Sequence, residues 1–211
     1  MELQVIIEYA FLSGWAMIKL NTLILIDFFN ADGLDKNEYN ISQHKKAYSK
    51  IAKHMEGICI ETGITDLVYA AYGSDHELYE ECTVLIFKDK ALFPRHKIVR
   101  HSCYNIEDKP ELFKDKGILV AGNSFWTCVR ARDVGLKALL ESDLPRDIWC
   151  APEITGFYGD VKETTDSVFK KSKQPLDFIQ AQEKDFRKDT SYKWRKVEIT
   201  DNHSVYKCIY A

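Results

Sequence analysis

Two apolar runs along the chain lack any alternation: TLILID at 22–27 and GILVAG at 117–122. A strand with one wet face alternates between apolar and polar positions. A strand buried on both faces does not, and a parallel sheet covered by helices is where such strands occur. TDLVYAAYG at 65–73 and CTVLIFK at 82–88 are shorter runs of the same kind, and KIVRHSCY at 97–104 is a weaker one. RDIWCAPEIT at 146–155 is a further strand candidate. Between the strands the period changes. Ala47, Ile51, Met55 and Ile58 stand at helical spacing in 42–61, with Ser42 as an N-cap and Gly63 as the stop. Pro110 near the start of 109–116 predicts a short helix there. Val129, Val134, Leu136, Leu139 and Leu140 predict a helix over 129–142 with those residues facing the core. Strands alternating with helices imply an α/β fold, three-layer α/β/α with a mostly parallel sheet of Rossmann-like form.

The segments outside this alternation divide the chain. Residues 1–18 read as an N-terminal extension or packed helix, 19–165 as the α/β domain, and 166–211 as a divergent C-terminal segment packed on or extending it. The C-terminal segment is highly charged up to about residue 190 and then alternates weakly, which predicts strands or a tail at the sheet edge. The apolar N-terminal stretch carries Glu2 and Glu8 and no preceding basic residue, unlike a signal peptide, and is too interrupted to span a membrane.

Composition narrows the function classes. The 211 residues are 45% hydrophobic and 29% charged, as in a globular protein. A net charge of −3 gives no electrostatic case for nucleic acid or an anionic membrane as partner. Six scattered cysteines without a CxxC pair read as free thiols in a reducing compartment, so a cytoplasmic location is expected. His96 and His101 alone approach paired ligand spacing, and no metal or other cofactor is expected.

The chemistry is expected where parallel strands end. Ligand sites of such sheets lie outside the carboxyl ends of the strands. The first strand ends in Asp27 and the GILVAG strand ends in Gly122, with Cys128 six residues later at the start of the predicted helix. A helix N-terminus favours a thiolate, and a carboxylate from a neighbouring strand could take the thiol proton. Read without that pairing, Asp27 is a strand cap and Cys128 a small buried hydrophobe.

LILIDFFNAD and ILVAGNSFWTCV together resemble the isochorismatase-like, nicotinamidase-like cysteine hydrolases. Asp27 and Asn30 match the family's IDxQN pattern, with Phe29 in place of glutamine. Gly122, Cys128 and Val129 match its strand–glycine–Cys-Val signature, and the resemblance covers about residues 20 to 155. It implies hydrolysis of a small amide-like substrate through a thioester, with Cys128 as nucleophile, Asp27 as base and a lysine as cation. The cation position falls on Lys97 or on Arg100, which retains the charge but is a poor proton carrier. The resemblance also implies a cis peptide between Asn123 and Ser124, an oxyanion hole from the amides of Ser124 and Cys128, and a homo-oligomer. Asn30, Tyr104, Phe125 and Trp126 could line a pocket for the small-molecule substrate. The zinc ligands of some relatives are represented only by Asp75 and His76.

Two other classes compete. PIN-like and NYN-like nucleases also open on a strand ending in Asp, and Asp27, Asp32 and Asp133 would have to converge on a metal. A catalytically inactive α/β domain that binds a small molecule or a partner is the other reading.

Overall fold

The computed structural model describes residues 18–26, 55–70, 99–103, 105–122, 128–155, 192–200 and 203–210. They form a mixed α/β fold around one mostly parallel sheet. Its strands are β1 (Thr22–Ile26), β2 (Asp66–Ala70), β3 (Val99–Ser102), β4 (Gly117–Gly122), β5 (Asp147–Thr155), β6 (Tyr192–Thr200) and β7 (His203–Tyr210). The order across the sheet is β3-β2-β1-β4-β5-β7-β6. The first five run parallel, and β7 pairs antiparallel with both β5 and β6.

Burial explains the unbroken apolar runs. Every residue of β1 and of β4 is buried, so neither strand has a face to leave polar. Ile24, Ile26, Val68, Ala70, Ile118, Val120, Ile148, Cys150, Tyr206 and Cys208 form one face of a continuous core. Onto that face pack Ile106, Leu112, Phe113, Val129, Val134, Leu136 and Leu139. The intervening strand residues Leu23, Leu25, Leu67, Leu119 and Ala121 point the other way and are buried as well.

Among the described residues two of the predicted helices take a different form. Residues 55–62 are helical (α1), ending at Gly63 as expected, with Met55, Ile58 and Cys59 buried. The expected helix over 109–116 is instead a pair of 3-10 turns, Ile106–Asp108 and Pro110–Leu112. Asn105 and Asp108 cap the first turn reciprocally, each side chain accepting from the other's main-chain N–H at 2.9 and 3.0 Å.

The predicted 129–142 helix is broken in two. Residues 128–131 make a helical turn, and α2 (Leu136–Glu141) starts afresh after Gly135. Gly135 is extended at ψ 178°, and a side chain there would meet the carbonyl oxygens of Val129 at 2.8 Å and Arg132 at 2.9 Å. The break does not move the core: Val129, Val134, Leu136 and Leu139 are buried and Leu140 half-buried.

The amino-terminal edge of the sheet is closed by polar bonds. Asn21 receives the N–H of Gly117 on its side chain at 3.0 Å, and the N–H groups of Thr65 and Asp66 on its carbonyl at 3.1 Å. Lys116 pairs with Asp66 at 3.2 Å. Asp147 holds Arg146 at 2.9 Å and also Lys207, while Arg146 donates to the carbonyl of Lys19 at 2.8 Å. Among the described residues no helix is long and apolar enough to cross a membrane.

Candidate functional site

The chain lays β1, β2 and β3 outward on one side and β4 and β5 on the other. The direction reverses between β1 and β4, and a crevice at the carboxyl end of such a pair is the ligand site of open α/β sheets. The pairing there runs Thr22 with Ile118 through to Ile26 with Gly122. Asp27 follows Ile26 in the chain and Asn123 follows Gly122, so two of the expected functional segments follow paired positions of the sheet.

Gly122 makes that pairing possible. Its φ is +132°, a region open to glycine. A side chain there would strike the carbonyl oxygen of Ile26 and would lie 2.7 Å from the Ile26 nitrogen and 2.8 Å from its carbonyl carbon. The glycine of the GILVAG run is therefore a point of contact between strands.

Cys128 lies in a helical turn that runs to residue 131. Its carbonyl accepts the Arg132 N–H at 3.1 Å. The residue is half-buried and packs against the core cluster. Cys59, Cys103, Cys150 and Cys208 are all buried. Burial, reinforced by the nearby charge of Glu56, pushes the Cys59 thiol far up. Burial, with Asp108 next in weight, pushes Cys103 up to about 11, and its S–H points to the Asn105 carbonyl at 2.7 Å. Cys128 is thus the most accessible thiol among the described residues. The helix expected behind it is interrupted at 132–135 before α2 begins.

Of the two positions expected to supply the cation, Arg100 stands within β3. In β3 Arg100 pairs with Leu67, which lies level with Leu23 and Leu119. That level is three residues short of Gly122, about 10 Å along a strand. Lys97 precedes β3 and lies outside the described residues, as do Asp27, Asn30, Tyr104, Ser124, Phe125 and Trp126. Among the described residues no group of three or more His, Cys, Asp or Glu side chains could hold a metal.

Thr155 and the end of β5 complete the edge, and the residue pattern alone does not single them out. β4 and β5 pair residue for residue from Gly117–Asp147 to Val120–Cys150, and then Gly122 faces Thr155. A signal that could have pointed there is Pro152, since a buried strand accommodates proline only at a bulge.

No family model matches the chain. No curated protein matches it either. One solved structure, the SAH-bound methyltransferase PaMTH1 of Podospora anserina, is similar over 90% of this chain and 72% of its own, at 11% identity and a TM-score of 0.31. That likeness is too slight to bear on function.

Proposed function

We propose that the chain is a cysteine hydrolase of a small amide-like substrate, working at the carboxyl edge between β1 and β4, with helices on both faces of the sheet in a three-layer arrangement. The observation that carries the reading is the Ile26–Gly122 pairing, which starts Asp27 and the Cys128 segment from adjacent points. The accessibility of Cys128 beside four buried thiols supports it.

The chemistry follows from the residue types. Asp27 takes the Cys128 proton, and the thiolate sulfur attacks the substrate carbonyl carbon. The amides of Ser124 and Cys128 hold the oxyanion. Collapse expels the amine, which receives the proton from Asp27, and leaves a thioester. Asp27 then takes a proton from water, the hydroxide attacks the thioester carbon, and the acid leaves as Cys128 regains its proton. The resemblance assigns a cation to Lys97 or Arg100. The reading itself rests on Asp27 and Cys128.

Alkylation with iodoacetamide, read cysteine by cysteine by peptide mass, tests it. Cys128 should react first, with a pH midpoint below the ordinary thiol value of about 8.5, and Asp27→Asn should move that midpoint. Across a panel of small amides, Cys128→Ser should abolish amine release. Reaction of Cys128 no faster than Cys103 would overturn the nucleophile. Metal-dependent RNA cleavage that survives Cys128→Ser but not Asp27→Asn would point to a nuclease instead.

A further inference from the structure

We propose that Thr155 is a positioning residue that clasps the exit of β4, and through it the segment bearing Cys128; its catalytic meaning rests on the hydrolase reading above. β4 takes two steps from Val120 to Gly122 while β5 takes five from Cys150 to Thr155. Three extra residues are therefore looped out of β5 beside the candidate site. Such a loop inside a buried sheet must satisfy its own polar groups or it costs stability. Thr155 closes it: its hydroxyl donates to the carbonyl of Ala151 at 2.8 Å, and the Cys150 sulfur lies 3.6 Å from the Thr155 hydroxyl oxygen. Cys150, Ala151, Ile154 and Thr155 are all buried, so water does not compete for these bonds.

The closure returns Thr155 to the sheet opposite Gly122. Gly122 is then held from two sides, by the main chain of Ile26 in β1 and by Thr155 in β5. The chain departs from that clasp toward Cys128. A serine or threonine hydroxyl can close the loop. A valine of the same shape cannot.

Amide hydrogen exchange on the full chain tests the clasp, with the pH midpoint of Cys128 alkylation as the second readout. Thr155→Val should raise exchange in peptides from 117–128 tenfold or more, leave 192–210 unchanged, and move the Cys128 midpoint toward an ordinary thiol. Thr155→Ser should restore both. If Thr155→Val fails to fold, Thr155→Cys keeps the volume with a weaker donor and should show the same exchange pattern at smaller amplitude. Unchanged exchange at 117–128, an equal rise in both segments, or no rescue by serine would overturn the clasp. Local exchange repaired by serine, with Cys128 behaving as an ordinary thiol throughout, would establish the clasp and overturn the hydrolase reading alone.

Discussion

At Gly122 one methyl group decides whether β1 and β4 can meet at their carboxyl ends. The residue combines a positive φ with a main-chain approach to Ile26 that leaves no room for a β carbon. Gly122→Ala is expected to cost about 3 kcal/mol, from the strained backbone together with overpacking. Urea unfolding would measure it, and a loss below about 1 kcal/mol would mean that the strands do not approach as described. The residue was legible in the sequence as a glycine at a strand end. Its reason was not, because the atom it avoids belongs to Ile26, 96 positions earlier in the chain. Cys128 shows the reverse case. The strand–glycine–cysteine spacing singled it out, yet the helix expected behind it breaks at Gly135, where a side chain would meet the Val129 and Arg132 carbonyls.

Among the elements, β5 does two different jobs at its two ends. Its amino end is a charged staple. Burial pushes the Asp147 carboxyl up, but the hydrogen bonds and charges of Lys207 and Arg146 outweigh that and hold it below the usual carboxylate value. A carboxyl whose folded pKa is depressed stabilises the fold above the unfolded value, about 3.9, and loses that contribution as pH falls through the folded value. Wild type should therefore exceed Asp147→Asn in stability by about 1 kcal/mol at pH 7, and the difference should begin to shrink near pH 4 and vanish only below the folded value. Denaturant midpoints for both proteins across that range check the sign; an advantage that grows on acidification would refute the staple. The carboxyl end of β5 carries the looped-out residues and Thr155. Pro152 went unread there, and the register that brings Thr155 to Gly122 is a pairing across strands, which no single-strand pattern contains.

For the whole molecule, the C-terminal hairpin is structural. β7 supplies Tyr206 and Cys208 to the core and pairs with β5 at Ile148, Trp149 and Cys150, while β6 forms the outer strand. Exposed Lys193, Arg195 and Lys196 on β6 guard that strand against pairing with another chain. A chain ending at residue 191 should expose the β5 edge and part of the core, and should lose cooperative unfolding and solubility. Calorimetry and sedimentation of the shortened chain decide this; a sharp transition near the full-length midpoint would show the hairpin to be dispensable. The weak alternation after residue 190 suggested strands without saying that the second of them inserts between β5 and the first. By itself the sequence determined which segments are buried on both faces, because unbroken apolar runs have no other stable place in water, and so it determined the α/β class and the parallel core. Strand order, the Gly122 contact, the broken helix and the Thr155 register were decided only by tertiary structure, because each depends on atoms from distant segments competing for the same space.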